Sequence, residues 1–276
     1  MPALLFLLNA LCYAGQSATG KQYAARGGAS QSFNLSKSVS AFILFALWIL
    51  IAGKGIHFAT APYALVYGVC LTVSMHAGFI ALSCGPMALT SIMAAMSLMI
   101  PFLWGLIFWQ EHVTLLSGIG VFLLLGAVIL IHYRKQGSIS RKWLCYSMMT
   151  MVMNGACSVI QKYHQIAFPG MHQGDFMFCA MAVVLIFFLC KAVKNDHGPL
   201  RFSLLGACSG VLNGLANLII LVLAAEQTAS GLFPLISAGN VIAAWLTGIL
   251  FFRDQIRKLQ LLGLFLGISG IIFMNL

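Results

Sequence analysis

The sequence predicts an all-α polytopic membrane protein with ten transmembrane helices, arranged as two inverted five-helix repeats around a central cavity. Three observations lead to this fold class. Hydrophobic residues make up 61% of the 276-residue chain and charged residues only 7%, whereas a soluble protein carries about a quarter charged residues. The apolar residues form long runs between short polar breaks. Landmarks of the first half recur in the same order in the second half.

Ten apolar segments are long enough to cross a bilayer, which takes about 20 residues in a helix. The short breaks between them carry turn-forming or charged residues, as in RGGASQS and YRKQGSISRK. These breaks are too short to hold a soluble domain or a nucleotide-binding module. The predicted segments are 2–24, 33–53, 62–83, 86–109, 114–133, 143–167, 174–193, 200–225, 229–252 and 259–276.

An internal repeat divides the chain close to its middle. NALCYAGQ at 9–16 and NGACSVIQ at 154–161 both read Asn, two residues, Cys, three residues, Gln. WQEHVTLLSGIG at 109–120 is similar to FRDQIRKLQLLG at 252–263. Because each repeat has five helices, an odd number, the second repeat must enter the membrane from the opposite side, as in many secondary transporters. The predicted units are residues 1–133, a basic linker at 134–142, and residues 143–276.

The charge of the chain indicates a membrane partner and argues against nucleic acid. The chain has 15 Lys+Arg and 5 Asp+Glu, a formal charge of +10, but no basic stripe interleaved with aromatic residues is present. Nearly all basic residues fall on the face that holds the 134–142 linker, and Lys37 is assigned to a connection on that face. The positive-inside rule then places both termini outside the cytoplasm.

The cysteines, acidic residues and motifs predict no catalytic residue, no metal site and no cofactor, so the protein is not predicted to be an enzyme. The eight Cys form no CxxC pair and no Cys/His cluster. No HExxH or GxSxG motif occurs. Every acidic residue falls at or near the end of a segment, which leaves no carboxylate at a helix centre for proton coupling. These acids are Glu111, Asp175, Asp196, Glu226 and Asp254.

Amides inside the apolar segments are the leading candidates for a substrate site. Within each segment they are spaced by four or seven residues, which places them on one helix face. An amide that faces lipid leaves polar groups unpaired at considerable cost. We therefore expect these amides either to line a wet cavity and bind substrate or to hydrogen-bond between helices. The candidates are Asn9, Gln16, Asn154, Gln161, Asn213 and Asn217.

Two further candidates lie deep in apolar segments. His76 either binds substrate or relays a proton, or it is a neutral imidazole that donates one bond to a neighbouring carbonyl. Trp104 either lines the cavity or packs in the core. The eighth segment also carries Gly206, Gly210 and Gly214, a small-residue ridge that favours close helix packing.

A stretch at 85–130, GPMALTSIMAAMSLMIPFLWGLIFWQEHVTLLSGIGVFLLLGAVIL, resembles the end of an EamA repeat. An apolar helix with an internal Pro101 leads to the acidic Glu111, which is followed by Gly120 and Gly126. The second half matches this pattern more loosely. Its corresponding residues are Ala244, in place of the proline, Asp254, Gly263 and Gly270.

The chain therefore resembles, over essentially its whole length, the EamA-like ten-helix transporters of the drug/metabolite transporter superfamily. This resemblance implies a secondary transporter that works by alternating access without ATP, with helices around a central cavity and no catalytic residues. It identifies no substrate. It also implies termini in the cytoplasm, opposite to the loop charge, so the sequence leaves the orientation open.

The sequence thus predicts a multi-pass protein of the bacterial cytoplasmic membrane that transports a small metabolite, such as an amino acid or an amphipathic compound. The predicted partners are this substrate and the lipid bilayer. A ridge of Gly263 and Gly267 packs inside the protein or forms a homodimer contact. A receptor or assembly subunit and a lipid flippase are alternative functions, whereas a membrane-embedded lipid enzyme lacks a matching motif.

Overall fold

The computed structural model of the protein describes residues 2–52, 57–108, 114–132, 140–169, 171–194, 202–226, 229–252 and 258–273. These residues form α-helices and two short 3₁₀ turns and contain no strand, which confirms the all-α class. The helices are α1 (Pro2–Ala25), α2 (Ser30–Ala52), α3 (Ala61–Cys84), α4 (Met87–Ala95), α5 (Met99–Phe108), α6 (Leu115–His132), α7 (Arg141–Ala167), α8 (Gln173–Lys194), α9 (Leu204–Glu226), α10 (Ala229–Phe252) and α11 (Lys258–Phe273).

The described helices are those of an integral membrane protein. Four stretches are long and apolar enough to cross a bilayer, and apolar side chains such as Leu4, Ile51, Phe122 and Phe251 lie exposed on the outer surface. Such a surface is stable in lipid but not in water. The four stretches are Ser30–Ile51, Phe58–Cys84, Arg141–Ala167 and Gln173–Ala192. Membrane crossing by all ten predicted segments stays a prediction.

The fourth predicted segment, 86–109, is not one continuous helix. It contains α4 and α5, joined by a 3₁₀ turn at Met96–Leu98. Pro101 explains the interruption, because a proline inside a helix has no N–H to donate and its ring clashes with the carbonyl four residues earlier. In the observed structure Pro101 lies in the first turn of α5, where the missing N–H costs no helix hydrogen bond.

Several predicted features fall on residues for which the structure gives no description. Most of the 134–142 linker is among them, and so are Asp196 and two acidic landmarks of the EamA-like pattern, Glu111 and Asp254. The side chain of Glu226, at the end of α9, also lies outside the described part of the chain.

The main helix contacts join the first half of the chain to the second. Helix α3 packs against α7 and α8, while α1 packs against α9 and α10. Helix α2 contacts both α8 and α9, α4 contacts α10, and α6 packs along α11. The two halves therefore interlock, and their contact region runs through the middle of the bundle.

The close contact between α2 and α9 depends on the small-residue ridge. A Cβ atom at Gly206 or Gly210 would overlap the backbone of α2, and at Gly210 it would meet the Lys37 carbonyl. The short distance also lets the Ser40 hydroxyl donate to the carbonyl of Ala207 across the interface, at 2.9 Å. Glycine is required here because it lets two helix backbones approach each other.

Gly267 of the second ridge, in α11, packs inside the chain. A Cβ atom at Gly267 would overlap the side chain of Ile92 in α4. Gly267 thus has the packing role, one of the two that the sequence left open for the ridge of Gly263 and Gly267.

Candidate functional site

A cavity of about 400 Å³ lies where the two halves meet. Its wall is made by α1, α2, α3 and α4 from the first half and by α7, α8, α9 and α10 from the second. No described residue of α6 or α11 lines it. The cavity is thus bounded by four helices from each half of the chain.

Five of the predicted site residues line this cavity. Four aromatic side chains and several small or apolar ones complete the wall, so polar groups are set among apolar surface, as in many small-molecule sites. The amides are Gln16, Asn154, Gln161, Asn213 and Asn217. The aromatic residues are Tyr13, Phe33, Tyr67 and Phe79.

A hydrogen-bond network on one side of the cavity joins α1, α2 and α9. The Lys37 ammonium donates to Gln16 Oε1 at 3.1 Å, and Asn213 Nδ2 donates to the same oxygen at 2.9 Å. Asn217 Nδ2 in turn donates to the Asn213 backbone carbonyl at 2.8 Å. Because an ammonium group can only donate, the Gln16 atom that faces it must be the amide oxygen. The Gln16 Nε2 group therefore points away from the Lys37 ammonium.

Asn154 holds the other side of the cavity by linking α7 to α3. The Ser74 hydroxyl donates to Asn154 Oδ1 at 2.6 Å, and the Ser158 hydroxyl donates to the Asn154 backbone carbonyl at 3.2 Å. One turn further along α7, Cys157 Sγ donates to the carbonyl of Tyr67 at 3.7 Å. These bonds fix the face of α7 that carries the cavity residues.

Asn9, the counterpart of Asn154 in the internal repeat, does not line the cavity. Its side chain is fully buried, and Nδ2 donates to the carbonyl of Ala216 in α9 at 2.9 Å. Position 9 lies about two helix turns before Gln16, beyond the reach of the cavity. Of the two roles that the sequence left open, Asn9 has the interhelical one.

His76 and Trp104 also lie outside the cavity wall. His76 is half-buried, and its Nδ1 lies 3.0 Å from the Ser30 hydroxyl, so the imidazole connects α3 to α2. Trp104 donates through Nε1 to the Tyr163 hydroxyl at 3.1 Å and stacks on Phe108 with ring centroids 4.2 Å apart. Both side chains are held by neighbouring helices, which places them in packing positions.

Lys37 is a cavity residue that the sequence does not predict as one. The sequence assigns it to a connection, but it lies in the second turn of α2 and its ammonium reaches the cavity. The signal was present, because Lys37 falls inside the predicted segment 33–53 and an ionisable residue within a membrane helix marks a candidate site. Other lining residues that were missed include Asn34, Thr150 and Asn240.

The described residues include no group of three or more His, Cys, Asp or Glu side chains placed to hold a metal ion. The eight cysteines are free thiols, and six of them, Cys84 and Cys208 included, are half-exposed or exposed. Lys37 is the one charged side chain among the cavity residues that the structure describes. The arrangement provides hydrogen bonding and one positive charge within an apolar wall.

Comparison with known proteins supports the fold only. A scan against models of protein families found no match. A search of curated proteins found no match either. One solved structure, described only as "Crystal structure of protein", aligns with a TM-score of 0.60 and 11% sequence identity, covering 99% of this chain and 95% of that chain. The likeness extends over nearly the full length of both chains. At this sequence identity it shows that the two chains share a fold, and it carries no information about function.

Proposed function

We propose that the protein is a secondary transporter that moves a small metabolite across the membrane by alternating access. The observation that carries the proposal is the polar cavity between the two halves, because a site at the interface of two repeats becomes accessible from either side when the halves rock against each other. A cavity of about 400 Å³ is large enough for a compact metabolite. The proposal assigns no catalytic residue, metal or cofactor.

The pattern of helix contacts supports two related halves. If α1, α2, α3, α4 and α6 are exchanged for α7, α8, α9, α10 and α11, the contact of α1 with α9 becomes that of α7 with α3. The contact of α2 with α9 likewise becomes that of α8 with α3, and α2–α8, α4–α10 and α6–α11 map onto themselves. Such exchange is expected of an inverted repeat with five helices in each unit.

The resemblance to EamA-like members of the drug/metabolite transporter superfamily points in the same direction. Gly120, Gly126, Gly263 and Gly270 of that pattern lie in α6 and α11, which pack together outside the cavity. These glycines would then have a structural role, and the first four segments of each half would bind the substrate. The proposed setting is a multi-pass protein of the bacterial cytoplasmic membrane.

Flux measurements on the reconstituted protein test the proposal. Purified protein in sealed vesicles is expected to move at least one labelled compound from a panel of carboxylates, amino acids, nucleosides and amphipathic drugs, without added ATP. Protein-free vesicles give the background. Absence of both flux and binding across the whole panel would contradict the transporter function.

Asn9 and Asn154 provide a matched pair of variants, because they are equivalent in the repeat but only Asn154 faces the cavity. We expect Asn9→Leu to lower the free energy of unfolding by about 0.6 kcal/mol, the mean value of one interhelical bond in a membrane, and to preserve flux. Asn154→Leu is expected to reduce flux at least about tenfold, because it removes a cavity amide and its bond to Ser74. Equal flux in the two variants would contradict the assignment of the cavity as the transport site.

A further inference from the structure

Lys37 is a positive charge inside a membrane helix, and no acidic partner lies near it in the part of the chain that the structure describes. Its ammonium lines the cavity and makes one hydrogen bond among the described residues, to the neutral Gln16 side chain. The described residues of the cavity wall include no Asp or Glu. A charged side chain at membrane depth is costly and is normally paired, or it faces a wet site and serves a function.

Gln16 adds an unused donor at the same place. The side chain is only 8% exposed, and its Nε2 has no hydrogen-bond partner among the described residues. A buried amide N–H that lacks a partner destabilises the empty site, so a ligand that accepts from it is favoured. The lysine ammonium also has donor capacity left, because it offers three N–H groups. Hydrogen-bond donors and a positive charge therefore meet at one point, and no anionic side chain in the described part of the cavity wall neutralises the charge.

We propose that this point binds the carboxylate of the substrate, and that the protein takes small organic monocarboxylates with an apolar body. The carboxylate would accept from the Lys37 ammonium and the Gln16 amide, while Tyr13, Phe33 and Phe79 in the cavity wall would contact the apolar part. The identification of this ligand as a transported substrate rests on the proposed function. Binding of the carboxylate does not depend on it.

Charge balance favours a carboxylate over a phosphate group. One lysine neutralises one negative charge, so a bound monoanion leaves the cavity neutral. A dianionic phosphate would leave one uncompensated charge in a site of low polarity, which is strongly unfavourable. An ammonium group on the ligand would find amide and hydroxyl oxygens but no carboxylate among the lining residues.

Three probes of the same aromatic body separate these possibilities. Calorimetry on the purified full-length protein in lipid nanodiscs would measure binding of phenylacetate, phenylacetamide and phenyl phosphate at pH 7. We expect phenylacetate to bind at least about tenfold more tightly than the neutral amide, because a charge-assisted hydrogen bond is lost in the amide. Equal affinity for phenylacetate and phenylacetamide would overturn the proposal, and tighter binding of phenyl phosphate would overturn the assignment to a monocarboxylate.

Two variants locate the effect at this pair of residues. Lys37→Met keeps the length of the side chain and is expected to bring the affinities of phenylacetate and phenylacetamide within about twofold of each other. Gln16→Glu has the same size but places a carboxylate beside Lys37, and this internal anion is expected to weaken phenylacetate binding at least about tenfold. Wild-type discrimination between the probes in both variants would overturn the proposal.

Lys21 supplies the control. It is also a lysine of a membrane helix, but it does not line the cavity, and its ammonium lies 5.0 Å from the centroid of the Phe252 ring. Lys21→Met is expected to keep the preference for phenylacetate. If Lys21→Met removes the preference as fully as Lys37→Met does, the effect comes from total charge and the proposal fails.

Flux through the variants separates this inference from the proposed function. If the reconstituted protein moves a neutral or cationic compound, and neither this flux nor phenylacetate binding changes in Lys37→Met, the carboxylate site is wrong and the transporter function stands. If phenylacetate binding depends on Lys37 but the vesicles show no flux for any compound, the carboxylate site stands and the transporter function is wrong.

Discussion

Replacing Trp143 with alanine is expected to lower the free energy of unfolding by about 3 kcal/mol, at the low end of the range for a buried Trp in soluble proteins. Trp143 is completely buried and packs in a cluster with Ala81, Leu89 and Ile92. The alanine leaves a void where these side chains lose their contacts. The loss is smaller than in water, because lipid or detergent still solvates the indole in the unfolded chain.

The position of Trp143 extends the effect to the cavity. The residue lies in the first turn of α7, next to the capping Ser140, and its Nε1 donates to the Thr90 hydroxyl of α4 at 2.9 Å. Because α7 also carries Asn154 and Gln161, a displaced α7 would move one wall of the cavity. Thr90→Val, which removes only the acceptor hydroxyl, is expected to cost about 1 kcal/mol.

Chemical or thermal unfolding in mild detergent measures both effects. Trp48→Ala is the matched control, because Trp48 is 42% exposed and its loss opens no void in the core. We expect Trp48→Ala to change the unfolding free energy by less than about 1 kcal/mol. A loss in Trp48→Ala as large as that in Trp143→Ala would mean that burial at the start of α7 is not the cause.

Replacing Gly210 with alanine is expected to destabilise the protein by about 3 kcal/mol, the upper part of the range for overpacking. The added Cβ would overlap the Ser40 hydroxyl, which can rotate away, and the backbone carbonyl of Lys37, which cannot. Helices α2 and α9 would have to separate. Since these helices carry Lys37 and Asn213 on either side of Gln16, we also expect weaker binding at the cavity.

Gly126→Ala provides the comparison for a helical glycine outside any contact. No atom of the described residues lies within 4 Å of a Cβ built at Gly126. Alanine has the higher helix propensity by about 1 kcal/mol, so this variant is expected to be as stable as the wild type or more stable. The midpoint of thermal unfolding and the monodisperse fraction after heating distinguish the two variants. A Gly210→Ala protein that unfolds at the wild-type temperature would contradict the close contact between α2 and α9.

Helix content and helix ends were accessible to sequence reasoning because they depend on local chemistry. Every predicted apolar segment contains a helix, and the ridge of Gly206 and Gly210 packs closely, as its four-residue spacing predicts. The sequence does not predict the helix break in segment 86–109, although Pro101 lies inside that segment. Whether a proline breaks a membrane helix depends on which partners the freed backbone groups find within the bundle.

Site residues were harder to predict, because a polar residue in an apolar helix is favourable wherever it finds a partner. Asn9 and Asn154 have the same spacing to Cys and Gln, yet Asn9 bonds to the backbone of α9 while Asn154 faces the cavity. His76 and Trp104 found partners in Ser30 and Tyr163. Sequence spacing identifies a helix face, but it does not say which neighbour that face meets.

Composition and the length of the apolar runs were enough to establish an all-helical membrane protein and the positions of its helices along the chain. Both properties depend on residues that are near one another in the sequence. The tertiary structure alone decided which polar groups meet. Gln16, Lys37 and Asn213 come from three helices and are joined only by the packing of α1 and α2 against α9. Lys37, which the sequence places in a connection, is the one charge among the described cavity residues, because close packing at Gly210 brings α2 to the wall that it lines.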